Sequence, residues 1–137
     1  MAAATHLIAA LAALQAIESG RQVAFMAPTE LLARQHADTA ARLLEPAGIR
    51  IAFLTGNLKA SGRTKLLEEL AAGGIEVVIG THALFSKNVR YHNVRLVVID
   101  EQQRFGVLQR AAILDKGRES DPDDRPPNLL MMSATPI

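Results

Sequence analysis

The stretch Leu96-Val97-Val98-Ile99-Asp100-Glu101 joins four consecutive apolar residues to two carboxylates that follow them directly. A continuous apolar run, without alternating polar residues, is typical of a strand buried on both faces. Such strands occur in parallel sheets whose two faces are covered by helices. The stretch therefore predicts a central parallel strand that carries two acids at its carboxyl end.

Four more apolar runs alternate with longer helical stretches along the chain. The other runs are Val23–Met26, Ile49–Leu54, Ile75–Ile79 and Leu129–Met132. The helical stretches lie near Leu7–Glu18, Glu30–Leu44, Gly62–Ala72 and Val107–Lys116. A repeated order of strand, crossover helix and strand predicts an α/β fold, a doubly wound and mostly parallel sheet with helices on both faces.

Local signals mark the ends of these helices. Thr29 is a cap residue at the start of the second helix, and Pro46 with Gly48 predicts its end. Ser61 is expected to cap the third helix, and Gly73 is expected to terminate it. The helices therefore fill the intervals between the apolar runs and leave short connections.

The composition fits a single domain covering residues 1–137. Hydrophobic residues make up 49% of the 137, which is ample for one core. Fifteen basic and fourteen acidic side chains give a net charge of +1, so nucleic-acid binding would need locally placed contacts. The absence of cysteine excludes disulfides and thiolate metal sites. Residues 1–17 have no basic leader and are too rich in alanine for a membrane span, so we expect a cytoplasmic protein with no membrane partner.

A small or polar segment follows each of the five apolar runs. These segments are Ala27-Pro28-Thr29, Thr55-Gly56, Gly80-Thr81-His82, Asp100-Glu101 and Ser133-Ala134-Thr135. In a parallel sheet they all lie on one edge, and ligands of open α/β folds bind in the crevice outside that edge. Turn and cap formation alone would explain any single segment. Five in succession indicate a ligand-binding edge.

The paired acids have the form of a Walker B element. Asp100 would hold Mg²⁺ through water, because magnesium favours oxygen ligands and gives up its water reluctantly. Glu101 would orient or deprotonate the water that attacks a γ-phosphate. A strand ending in Asp-Glu is a weak signal by itself, since a solvated turn would have the same sequence. The assignment therefore depends on the neighbouring segments.

Four segments together resemble the motifs of RecG-like superfamily 2 helicases. Residues 27–36 (APTELLARQH) resemble motif Ia, residues 80–84 (GTHAL) motif Ib, residues 100–107 (DEQQRFGV) motif II and residues 133–137 (SATPI) motif III. Four motifs in the right order and spacing are far more specific than any one alone. The Arg-Phe-Gly after the acidic pair points to RecG and its transcription-repair relatives rather than to RNA helicases. The chain is identified as part of the first RecA-like motor domain of such an enzyme.

The resemblance implies an ATP-driven double-stranded-DNA translocase that remodels stalled replication forks, with ATP and Mg²⁺ as cofactors and branched DNA as partner. It implies catalytic roles for Asp100, Glu101 and Gln103, and nucleotide contacts by the two acids together with Ser133 and Thr135. The residues that it implies along the DNA backbone are Pro28, Thr29, Thr55, Gly56, Thr81 and His82. Sequence-independent phosphate contacts suit a motor that moves over any sequence.

Two departures from the family pattern change the expected activity. Gln103 stands where the family has histidine, so this position forms hydrogen bonds but cannot titrate. Residues 2–6 (AAATH) stand where the family has a glycine-rich loop ending in Gly-Lys-Thr, so no lysine reaches the phosphates. We therefore expect no ATPase activity from this chain alone.

The strand that precedes this loop in the family, and the second motor domain with its arginine finger, are also expected to be missing. Because the resemblance places that strand inside the sheet, we expect an unfilled position there. Unpaired backbone groups invite pairing with another chain. The sheet is thus expected either to rearrange and close the gap or to form a homodimer through it.

Two other classes of function stay open from the sequence. One is a nucleic-acid-binding module that keeps motifs Ia and Ib without catalysis, and the other is a structural or interaction domain with an inherited fold. In both, Thr29 could be a simple helix cap, and His36 and His82 could be ordinary hydrogen-bonded or solvated histidines. DNA binding with and without ATP separates the three classes.

Overall fold

The computed structural model describes residues 11–56, 59–100 and 106–132, and its centre is one parallel sheet. The strands in this part of the chain are β1 (Gln22–Met26), β2 (Ile51–Leu54), β3 (Val77–Gly80), β4 (Val94–Asp100) and β5 (Asn128–Met132). Their order across the sheet is β2-β3-β1-β4-β5, and every neighbouring pair is parallel. The chain therefore adds strands to one side of β1 and then to the other, which confirms the doubly wound fold class.

Helices cover both faces of the sheet. They are α1 (residues 11–18), α2 (Glu30–Leu44), α3 (Ala60–Ala72) and α4 (Val107–Glu119), with 3-10 turns at Glu45–Ala47 and His82–Phe85. On one face, Ala13 of α1 and Ala33 of α2 pack into an apolar cluster with Val98. On the other face, Leu70 of α3 and Ile113 of α4 pack into a second cluster. Within the residues that are described, no helix is long and apolar enough to cross a bilayer.

Strand β4 is the longest of the described strands and is buried along its whole length. All seven of its residues are buried, including Asp100 at its end. Val97 and Ile99 belong to one apolar cluster, whereas Leu96 and Val98 belong to the other. Because each fully buried aliphatic side chain stabilises the fold by about 1.5–3 kcal/mol, this strand is a principal source of stability. The continuous apolar run thus correctly predicted a strand covered on both faces.

The helix ends agree with the sequence signals at most positions. Thr29 caps α2, and its Oγ1 accepts a hydrogen bond from the amide of Leu32 at 3.2 Å. Gly73 ends α3 in the left-handed region at φ 85°, which glycine adopts without strain. The prediction that Ser61 caps α3 is wrong, because the helix already begins at Ala60 with Lys59 as its cap residue. Alanine is the strongest helix former, so the helix extends beyond the predicted start.

The sheet has no unfilled internal position among its described strands. Strand β1 is hydrogen-bonded to both β3 and β4, and β4 is hydrogen-bonded to β5. In this part of the chain the two edges are formed by β2 and β5. Of the two expected outcomes, a closed sheet and a homodimer through a gap, the described strands show the closed sheet, and the homodimer loses its premise. The physical reason is that β4 and β5 pair directly, with Asp100 in register with Met132.

A buried glutamine fastens three loops together at the amino end of β1. Gln22 is only 3% exposed, and its Nε2 donates to the carbonyls of Leu70 and Ile75 at 2.8 and 2.9 Å. Its Oε1 accepts hydrogen bonds from the amides of His92 and Asn93 at 2.8 and 3.0 Å. One side chain therefore joins the end of α3, the approach to β3 and the approach to β4.

A second polar cluster closes the amino end of β4. The guanidinium of Arg95 donates to the carbonyls of Gly117, Arg125 and Pro126 and lies 3.8 Å from the carboxylate of Asp121. A side-chain hydrogen bond from Arg125 holds the pKa of Asp121 below its usual value. These contacts fasten the loop after α4 to the amino end of β4, opposite the carboxyl edge of the sheet.

Candidate functional site

The carboxyl ends of the first four strands are level with one another. Met26 at the end of β1 is in register with Gly80 of β3 and with Ile99 of β4, and Gly80 is in register with Leu54 of β2. Asp100 follows one residue beyond this row. Thr29, Thr55, Thr81 and Asp100 therefore all lie at one edge of the sheet. Because the strands are parallel, the sequence could predict this placement.

Asp100 lies at this edge, at the end of β4, and is fully buried. Its Oδ2 is 2.9 Å from Nε2 of His36, a geometry in which the ring N–H donates to the carboxylate. His36 comes from α2, and its ring packs against Phe25 with the two ring centroids 4.5 Å apart. The carboxylate is therefore held by a second element that packs on the same face of the sheet.

Four other predicted residues lie outside the described part of the chain. They are Glu101, Gln103, Ser133 and Thr135. Their predicted roles, which are to orient the attacking water, to contact the nucleotide and to couple nucleotide state to DNA binding, therefore stay predictions. Asp100 supplies the carboxylate oxygen that Mg²⁺ prefers, so its donor chemistry fits a water-mediated magnesium site. Among the described residues no group of three or more metal-ligating side chains occurs. A magnesium ion held by one acid and by phosphate oxygens does not require such a group of protein ligands.

The loops after β1 and β2 are joined by a carboxylate. Pro28 is half-buried and Thr29 is exposed, so the threonine that caps α2 also faces solvent at the edge. Glu30, the first residue of α2, accepts a hydrogen bond at Oε1 from the amide of Gly56 at 3.0 Å. Thr55 is half-buried and Gly56 is exposed beside it. Two of the three predicted DNA-contacting loops thus lie in direct contact.

The loop after β3 forms the third part of the edge. Thr81 is half-buried and begins a 3-10 turn in which its carbonyl accepts from the amide of Leu84 at 3.0 Å. His82 is exposed and lines a shallow pocket with Ser86 and Gln109. The turn therefore presents a threonine and a histidine at the end of β3, which lies between β1 and β2 in the sheet, and it also contacts α4.

Sequence reasoning missed two residues that organise this edge. The sequence places His36 in motif Ia or makes it an ordinary hydrogen-bonded or solvated histidine, and does not predict its pairing with Asp100. It gives Glu30 no role of its own, although Glu30 binds the Gly56 amide. His36 lies seven residues after Thr29, so it returns to the same helical face after two turns. That spacing was the available signal, but it does not reveal which strand the face contacts.

Comparison with known proteins assigns the chain to a family. The family described as DEAD/DEAH box helicase matches residues 4–137. The chain is 67% identical over 131 residues to an ATP-dependent DNA helicase RecG of Treponema pallidum, covering 96% of this chain and 19% of that protein. The corresponding identity with RecG of Escherichia coli strain K12 is 47%, covering 96% and 18%. The chain thus spans about a fifth of the length of these relatives.

Solved structures give the same result at the level of fold. The structure of RecG bound to a three-way DNA junction matches 96% of this chain and 16% of that one, with a TM-score of 0.77 and 39% identity. The Mycobacterium smegmatis helicase Lhr, bound to single-stranded DNA and AMP-PNP, matches with a TM-score of 0.72 at 15% identity, which supports the fold alone.

The chain belongs to the DEAD/DEAH box helicase family, and its sheet is that of a RecA-like helicase domain. Within that family it is a RecG-like segment, as its motifs predicted.

Proposed function

We propose that residues 1–137 form one partial motor domain, the first of a cytoplasmic, ATP-dependent double-stranded-DNA translocase that remodels branched DNA at stalled forks. The observation that carries this proposal is the common edge on which Thr29, Thr55, Thr81 and Asp100 follow successive strands. The match to the junction-bound RecG structure covers 96% of this chain, and it supports branched DNA as the partner.

On the nucleotide side, Asp100 is proposed to hold Mg²⁺ through water, and Glu101 to orient the attacking water. Magnesium would offset the charge of the transferred phosphoryl group. Ser133, Thr135 and Gln103 are proposed to link nucleotide state to the grip on DNA. The buried contact with His36 supports this assignment, because carboxylates that hold metals are themselves held by hydrogen bonds.

On the DNA side, the proposed contacts are made by the loops after β1, β2 and β3. The residues are Pro28, Thr29, Thr55, Gly56, Thr81 and His82. Hydroxyl groups and backbone amides bind phosphate oxygens without reading bases, which suits movement along any sequence. Because the net charge is only +1, such placed contacts must provide most of the affinity.

The affinity for DNA should fall as salt rises, and it should depend on the side chains at the carboxyl edge of the sheet. We expect fluorescence anisotropy with a labelled three-way junction to show affinity falling between about 50 and about 200 mM salt. Thr81→Val removes one hydroxyl and should weaken binding by roughly threefold to tenfold. The matched control is Thr39→Val, about 15 Å along α2 from Thr29, which should bind as the unchanged chain does.

The same assay, run with and without ATP, separates the classes of function. DNA affinity that is the same with and without ATP would favour a nucleic-acid-binding module without catalysis. Absence of DNA binding at low salt would favour a structural domain.

Hydrolysis of ATP by this chain alone should be undetectable. Phosphoryl transfer relies on lysine and Mg²⁺ to offset charge, and residues 2–6 (AAATH) place no lysine where the family has one. A phosphate-release assay with excess Mg²⁺ and junction DNA measures this. Turnover that Glu101→Gln abolishes would contradict the prediction, since it would show a working site without the lysine.

A further inference from the structure

The Glu30 carboxylate connects two loops that the sheet keeps apart. Strands β1 and β2 are not neighbours, because β3 lies between them. Adjacent strands are about 4.8 Å apart, so the ends of β1 and β2 are separated by roughly 10 Å. The loops that follow the two strands approach each other beyond the strand ends, where Glu30 Oε1 accepts from the Gly56 amide at 3.0 Å.

Both ends of this bridge make close contacts. Glu30 is the first residue of α2, directly after the Thr29 cap whose Oγ1 accepts from the Leu32 amide. On the other side, a Cβ added at Gly56 would lie only 3.3 Å from the same Glu30 oxygen, so the turn packs directly on the carboxylate. The bridge therefore links the start of α2 directly to the turn after β2.

The charge of Glu30 is opposite to what a DNA-binding edge would favour. A carboxylate close to a phosphate backbone repels it. The amino end of α2 offsets part of this cost, because the helix dipole stabilises an acid in the first turn. An acid at this position is best explained by the bridge that it makes.

We propose that Glu30 is a positioning residue for DNA: it holds the Thr55-Gly56 turn at a fixed spacing from Thr29, so that both loops contact one phosphate backbone together. This inference rests on the proposed DNA-binding function. It assigns Glu30 no contact with DNA.

Two substitutions separate positioning from charge. Glu30→Gln removes the charge but keeps a side-chain oxygen of the same reach, whereas Glu30→Ala removes both. If Glu30 acted only through its charge, both variants would bind DNA more tightly. Positioning predicts opposite signs: Glu30→Gln binds as tightly as the unchanged chain or more tightly, and Glu30→Ala binds roughly fivefold to tenfold more weakly.

The measurement is fluorescence anisotropy with a labelled duplex at two salt concentrations, on variants whose circular dichroism spectra match. Asp38→Ala is the control, because it removes an exposed acid from the same helix away from the bridge. It should bind as tightly as the unchanged chain or slightly more tightly. Glu30→Ala binding as tightly as Glu30→Gln overturns the positioning role while leaving the proposed function intact. An unchanged chain that binds no duplex overturns the proposed function instead.

A readout without DNA tests the bridge itself. Hydrogen exchange by NMR should show the Gly56 amide protected in the unchanged chain and in Glu30→Gln, and exchanging much faster in Glu30→Ala. A Gly56 amide that exchanges at the same rate in all three would overturn the proposal, because it would mean that Glu30 does not hold the turn.

Discussion

Replacing Gln22 by alanine is expected to destabilise the fold by about 3–5 kcal/mol, which is a large part of the total stability of a small domain. The reason is the number of backbone groups that depend on one side chain. The buried amide makes four hydrogen bonds, to Leu70, Ile75, His92 and Asn93. Its loss leaves those groups without this partner in the interior, and leaves a cavity as well.

Urea denaturation followed by circular dichroism measures this effect. Gln35→Ala is the matched control, because Gln35 is exposed on α2, and we expect a change within about 0.5 kcal/mol. Gln22→Met preserves most of the volume but none of the hydrogen bonds, so it separates the two causes. If Gln22→Met proves as stable as the unchanged chain, the hydrogen-bond network is not what holds these loops.

The importance of Gln22 could not be predicted from the sequence. In the sequence it is one polar residue before an apolar run, and such residues usually lie in a loop. Its partners are 48 to 71 residues away along the chain. Only the strand order brings the end of α3 and the approach to β4 to the same place, and neither local periodicity nor composition contains that information.

Local signals predicted the elements better than their boundaries. Helix α2 was predicted at its observed bounds because the Thr29 cap at its start and Pro46 beyond its end are both local. The second strand was expected from Ile49 but begins at Ile51, because Ile49 is buried without belonging to the ladder. The fourth strand was expected from Leu96 but begins earlier and includes Arg95, whose guanidinium donates to loop carbonyls. Apolar character reports burial, not hydrogen-bonded pairing.

Some features of the candidate site could be predicted from the sequence, and others could not. Parallel strands place Thr29, Thr55, Thr81 and Asp100 on one edge, so their order in the chain was sufficient to predict it. Lateral contacts across that edge were not predictable. The contact between Glu30 and Gly56 depends on β3 lying between β1 and β2, and the contact of His36 depends on the rotation of α2 about its axis.

Removing the imidazole of His36 should destabilise the fold by about 2–4 kcal/mol, because it deletes a hydrogen bond to a carboxylate that is fully buried. The ring also packs on Phe25, so part of the loss is apolar. We expect His36→Ala to shift the urea midpoint strongly. His82→Ala, which changes an exposed histidine at the same edge, should have little effect on stability.

The informative comparison is between His36→Ala and Asp100→Asn. An asparagine oxygen can accept from the same ring N–H, and a neutral amide costs less to bury than a carboxylate. Asp100→Asn should therefore lower the free energy of unfolding by less than about 1 kcal/mol, or raise it. When Asp100→Asn is combined with His36→Ala, the changes in the free energy of unfolding that the two substitutions cause separately should not add. That result would mean that the charge of Asp100 does not serve folding, because a neutral residue would fold at least as well. A buried charge that folding does not need is best explained by the cation that the proposed function places beside it. If Asp100→Asn instead proved as damaging as His36→Ala, the pair would be a structural element, and the proposed magnesium site would lose this support.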